Sequence, residues 1–156
     1  ARVASDPASI GEAEWVVLAT KAHQTADAAP WLAAACGPTT KAVVVLQNGV
    51  EHEARVAPLA NGRPILPAIV SIGAEVLAPG HVRHHAYATL EVPDDALGRA
   101  FAALLEGSAP AELLQVERRE VERELVAAIA VGGDEEHQDV FVGIHHLAES
   151  RDAARK

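Results

Sequence analysis

The stretch Trp15-Val16-Val17-Leu18-Ala19-Thr20-Lys21 decides how this chain folds. Its apolar residues run without alternation, from acidic Glu12 and Glu14 on one side to polar Thr20-Lys21 on the other. A short continuous apolar run with β-branched members reads as a strand covered on both faces, the pattern of a parallel sheet. Working outward, Ala42-Val43-Val44-Val45-Leu46 repeats the pattern and is closed by Gln47-Asn48-Gly49. Between the two runs, Gln24 to Cys36 places Ala28, Ala29, Leu32, Ala33 and Cys36 at helical spacing and stops at Gly37-Pro38. Glu51 to Ala60 reads as a further helix with Pro58 near its end, and Ile65 to Ile72 as a third strand interrupted by Pro67. Strand, helix, strand, helix, strand is the repeating unit of a doubly wound α/β sheet. Ligands of such sheets bind beyond the carboxyl ends of the strands. Those ends carry Thr20-Lys21 and Gln47-Asn48-Gly49 here.

The pattern changes at Gly73. A Pro79-Gly80 turn separates two extended segments, with Val82, His84, Ala86, Ala88, Leu90 and Val92 on one face of the second, which suggests antiparallel strands at the sheet's edge. From Asp94 the spacing turns helical: Leu97, Ala100, Phe101, Leu104 and Leu105 form a stripe, with Asp94 or Asp95 as cap and Gly107 as stop. A second helix is expected over 116–129 and a third over 140–148, and the alternating acids and arginines from Glu117 to Glu124 read as a solvated helix face. A domain boundary is expected near Pro93.

The 156 residues carry 49% hydrophobic residues but only 3% aromatics, and much of the apolar content is alanine, so a core forms from many small contributions. A net charge of −9 argues against a nucleic-acid partner, whose phosphates need a basic surface. The lone Cys36 sits among alanines and reads as packing. No apolar run is long enough to span a bilayer and no signal peptide is present, which makes a cytoplasmic protein the expectation. The absence of methionine suggests that Ala1 is interior to a longer parent.

The run Val16 to Ala19 with Lys21 and Gln24 behind it, followed by Leu46-Gln47-Asn48-Gly49, resembles the ketopantoate reductase family. That family shows an apolar strand ending in a lysine, a glutamine three residues later, and a second strand ending in an Asn-Gly turn. Ser71 to Glu75 and Ala78 to Val82 resemble its segment between sheet and helical domain, so the likeness covers roughly residues 1–93. The resemblance implies the C-terminal part of a Rossmann-like NADP-binding domain over 1–93, with a partial helical domain over 94–156. The expected fold is therefore α/β, a partial Rossmann-like doubly wound parallel sheet followed by a short helical region. It also implies NADPH as hydride donor to the ketone of 2-dehydropantoate or a similar small 2-oxo acid. Homo-oligomerisation stays open. Lys21, Gln24, Asn48 and Gly49 are the expected cofactor-binding residues. A lysine at a strand's carboxyl end offers a cation and three donors to a phosphate, carboxylate or ribose hydroxyl.

Three departures stand beside the likeness. No Gly-x-Gly-x-x-Gly occurs anywhere in the 156 residues, so the backbone cradle for a pyrophosphate is missing from them. At the family's general-acid lysine and following asparagine this chain has Glu124 and Ala128, so no catalytic residue is assigned; a carboxylate does not readily protonate a developing alkoxide. Val50-Glu51 follows Asn48-Gly49 where many relatives have another glycine. Two rival readings follow, a non-catalytic fragment or oligomerisation module, and a dehydrogenase of another 2-oxo or hydroxy acid. His81, His84 and His85, and His145 with Glu149, lack a complete metal-ligand motif and read as solvated polar faces.

Overall fold

A computed structural model describes residues 3–106, 115–119 and 142–144. Strands β1 (Trp15–Leu18), β2 (Ala42–Val45) and β3 (Ile65–Pro67) form a parallel sheet in the order β3-β2-β1. Trp15 to Leu18 lie in register with Ala42 to Val45, and Val43 to Val45 with Ile65 to Pro67. Both faces are covered, which is why the strands read as unbroken apolar runs. Val16, Leu18, Val43 and Val45 pack with Leu32, Ala35 and Cys36 from the first crossover and Val56 and Ala60 from the second. Trp15, Ala42 and Val44, one residue out of phase, pack on the opposite face with Leu66, Leu90, Val92 and Phe101. Each Val or Leu fully buried in this way contributes about 1.5–3 kcal/mol.

The helical crossovers are shorter than their spacing suggests, and proline is the reason. Helix α1 covers Ala29–Ala35, while Ala22–Ala28 before it winds as a 3-10 helix. A single α-helix through this segment would need an N–H at Pro30 to reach back to Ala26; Ala26 O accepts the Ala29 N–H instead. Helix α2 (His52–Val56) likewise gives way to a 3-10 turn over Ala57–Leu59, which contains Pro58.

The expected third strand is two strands. β3 ends at Pro67, the Ala68 N–H makes a last link to Val45 O at 3.0 Å, and the chain then leaves the sheet as β4 (Ile69–Ala78). β4 pairs antiparallel with β5 (His81–Pro93), closed by Gly80 at φ 73°. The pair belongs to a second sheet rather than to the edge of the first. Register shifts at Ile72/Gly73, Gly73/Ala74 and Val76/Ala78 interrupt the simple face alternation read from the sequence. Helix α3 (Ala96–Glu106) forms where expected, its start capped by Asp95 Oδ1 accepting the Gly98 N–H at 2.8 Å. Phe101 brings its ring to 5.2 Å from that of Trp15. Gly98 permits the close return of α3 on β5, since a Cβ there would lie 1.9 Å from the Pro93 carbonyl oxygen.

Two helices expected beyond α3 are corrected. Residues 115–119 form β6 (Gln115–Arg119), parallel to the end of β5, so Glu117 to Arg119 are not on a helix face. Residues 142–144 form β7 (Val142–Ile144), antiparallel to β1. In each case a strand edge with unpaired backbone groups captures a short segment, and tertiary pairing overrides helical spacing. The remainder of both expected helices, with Gly107, Glu124, Ala128, His145 and Glu149, lies outside the described residues.

Candidate functional site

Because β1 and β2 are parallel, their carboxyl ends fall at one edge of the sheet. Leu18 pairs with Val45, and Lys21 and Asn48 each stand three residues beyond that pair. Both are exposed. Among the described residues neither the Lys21 ammonium nor the Asn48 amide has a hydrogen-bond partner in the protein. Gly49 follows at φ 115°, a conformation that side-chain-bearing residues rarely adopt. Gln24 sits one turn into the crossover, and its Oε1 accepts the Lys21 N–H at 3.2 Å. That contact fixes the start of the Lys21 loop and leaves the Gln24 Nε2 donors at the same edge.

Beneath this exposed edge lies a buried polar network that sequence reading did not single out. Gln47 is its centre, at 4% exposure. Its Nε2 donates to Thr20 Oγ1 at 2.9 Å and to Thr25 Oγ1 at 3.0 Å, both on the β1 side. The Thr25 hydroxyl in turn donates to Ala22 O at 2.8 Å. From the β2 side, Arg55 Nη2 donates to Gln47 Oε1 at 3.2 Å and Arg55 Nη1 to Val50 O at 2.8 Å. His52 is buried and pairs with Gln47 O at 2.8 Å through Nε2, which must carry the proton because a carbonyl only accepts. Burial holds the His52 pKa below its ordinary value, against the pull of its bond to Gln47, and the nearby Arg55 charge adds to the lowering. His52 and Arg55 are three apart on α2 and so share one face of it. Thr25 and Arg55 also line an open cleft of about 370 Å³ with Ala22, His23, Ala26 and Leu59. The one clue in the sequence is Gln47 itself, a polar residue between the apolar end of a strand and its turn, and buried polar atoms are usually paired.

The family model described as "Ketopantoate reductase PanE/ApbA" matches residues 1–97. The chain belongs to this family. A 2-dehydropantoate 2-reductase of Caulobacter vibrioides is 40% identical over 116 residues, which are 74% of this chain and 39% of that protein. Its counterpart in Mycobacterium tuberculosis is 41% identical over 98 residues, 63% of this chain and 33% of that one. The crystal structure of a PanE/ApbA family ketopantoate reductase from Ralstonia eutropha JMP134 superposes with a TM-score of 0.64 at 29% identity, covering 77% of this chain and 38% of the other. The chain thus spans well under half the length of the ketopantoate reductases it matches. Their fold bears out the α/β class expected from the strand pattern and the Rossmann-like sheet that the family resemblance implies.

The exposed groups at this edge are ones that bind polar oxygens. An exposed cation, an exposed amide and a glycine at positive φ on a sheet's carboxyl edge suit ribose hydroxyls and phosphate or carboxylate oxygens. A glycine-rich pyrophosphate cradle is not among the 156 residues. On the hairpin, His85 Nε2 lies 3.0 Å from Glu75 Oε2, and among the described residues no group of three or more His, Cys, Asp or Glu side chains is placed to hold a metal ion.

Proposed function

We propose that this chain supplies the carboxyl-edge half of the NADP site of a cytoplasmic 2-dehydropantoate 2-reductase. Residues 1–93 then serve as part of the cofactor domain, and α3 (Ala96–Glu106) follows them. The observation that carries this reading is the parallel register of β1 and β2, which brings the exposed Lys21 and Asn48 to one edge. NADPH, when bound, supplies a hydride to the ketone of a small 2-oxo acid. Lys21 places its ammonium against an anionic or hydroxyl oxygen, Asn48 orients its neighbour through donor and acceptor together, and Gly49 lets the backbone approach without a side chain between. Gln24 secures the Lys21 loop and offers its amide to the same ligand. The protein's part is to hold and orient.

An NMR titration with NADPH tests the reading. Amide shifts are expected at 20–25 and 47–50, with weak affinity, since the pyrophosphate finds no cradle in these residues. Turnover of 2-dehydropantoate by this chain alone is expected to stay at background. Shifts confined to the β4–β5 hairpin, or absent from Lys21 and Asn48, would sink the proposal.

A further inference from the structure

We infer that Gln47 is a positioning residue that locks the Lys21 loop and the Asn48 loop into one rigid edge, with Arg55 and His52 as its anchors on α2. This deepens the reading of the site given above and rests on it. The two loops belong to different strands, and parallel pairing ends near Leu46, whose N–H donates to Leu18 O at 2.9 Å. Beyond that point the described cross-links between the loops all run through Gln47: its amide nitrogen to Thr20 and Thr25, and at 3.5 Å to the Lys21 carbonyl. Its backbone and its side-chain oxygen are both held from α2, by His52 and Arg55. Gln47 precedes Asn48 directly, so fixing its backbone and side chain also fixes where the Asn48 turn begins. An amide suits this position because it donates toward one loop and accepts from the other, in a place too dry for water to substitute.

The chemistry separates two substitutions. Gln47→Leu keeps similar bulk and breaks every link through the Gln47 side chain, while Thr25 keeps its bond to Ala22 O and Arg55 its bond to Val50 O. Gln47→Glu keeps the acceptor for Arg55, and the two threonine hydroxyls can turn to donate to its carboxylate. Hydrogen exchange at the Lys21 and Asn48 amides, without ligand, reads the lock itself. Gln47→Leu is expected to speed exchange at both positions together, while Gln47→Glu restores most of the protection. NADPH titration followed on the same amides is expected to show about tenfold weaker binding for Gln47→Leu, the size expected from losing a buried polar link, and recovery with Gln47→Glu. Circular dichroism confirms that each variant is folded. If one loop loosens in Gln47→Leu and the other does not, the lock is disproved. Equal NADPH affinity in the parent chain and Gln47→Leu also overturns it. A parent chain whose Lys21 and Asn48 amides ignore NADPH defeats the functional reading alone, because the exchange measurement still decides the lock.

Discussion

The two ends of the parallel sheet are both polar, and they spend their polarity in opposite ways. At the amino end the groups satisfy one another. The Glu12 carboxylate accepts from both the backbone and the hydroxyl of Thr39. Thr40 Oγ1 accepts the Gly37 N–H at 3.0 Å and donates to Ala13 O at 2.6 Å. A Cβ at Gly37 would meet the Glu12 carboxyl group, the far end of a side chain that would have to swing away from Thr39. At the carboxyl end the buried groups bind one another through Gln47, but among the described residues the side chains of the exposed Lys21 and Asn48 above them have no hydrogen-bond partner. Polar residues at a strand end are therefore not in themselves a site. A site has exposed donors held still by a hydrogen-bonded layer below.

The strongest test of that contrast lies at the amino end. Thr40→Val removes one hydroxyl and strands the Gly37 N–H and the Ala13 carbonyl, with an expected loss of about 2 kcal/mol of stability. NADPH-induced shifts at Lys21 and Asn48 should be unchanged in the folded variant. Urea denaturation and an NMR titration measure the two quantities separately. A parallel loss of ligand response would mean that the two ends are coupled, and the contrast would fail.

The converse holds at the carboxyl end. Lys21→Ala and Asn48→Ala each remove an exposed group with no partner in the described protein, so thermal stability should stay level. NADPH affinity should drop by roughly fivefold to tenfold in each, the scale of one hydrogen bond to a charged or polar ligand group. A melting-temperature loss in place of the affinity loss would reassign these residues to structure.

A smaller effect sharpens how the Asn48 turn is built. Glu51 adopts φ 60° ahead of α2, in the left-handed region where a Cβ is penalised. Glu51→Gly should raise stability by up to about 1 kcal/mol, seen as a higher denaturation midpoint with unchanged slope. No gain would mean that the Glu51 side chain contributes something that offsets its backbone.

How much of this was legible in the sequence follows from the same physics. Trp15 to Leu18 and Ala42 to Val45 were readable because a strand buried on both faces leaves an unbroken apolar run. Lys21 and Asn48 followed, since a parallel sheet sends both strand ends to one edge. The lengths of α1 and α2 were overestimated because spacing sees the apolar stripe but not the hydrogen bond that Pro30 or Pro58 cannot donate. β6 and β7 read as helices because Val116, Val121 and Leu125 in one segment and Phe141, Ile144 and Leu147 in the other fall at helical spacing; the deciding force is a strand edge far away in sequence. The Gln47 network was missed for a related reason. Its partners Thr20, Thr25, His52 and Arg55 come from two crossovers, and no local pattern announces that they meet.

The last prediction separates the two ends by pH. His52, at the carboxyl end, has its pKa lowered from the ordinary 6.5, chiefly by burial. Below pH 6.5 the unfolded chain takes up a proton that the folded one declines, so stability is complete above that value and falls as pH drops toward the folded pKa. Glu12, at the amino end, has its pKa lowered from the ordinary 4.5, chiefly by the Thr39 hydroxyl, with the Thr39 backbone next. Its contribution persists above pH 4.5 and is lost as pH falls below it. Acid should therefore weaken the carboxyl end first and the amino end second. Denaturant midpoints measured from pH 8 to pH 3 should decline in two stages. His52→Gln, whose amide can still donate to Gln47 O, should remove the upper stage alone, and Glu12→Gln the lower. If His52→Gln leaves the upper stage in place, the titrating group lies elsewhere, and the neutral buried histidine is not what holds the Asn48 turn.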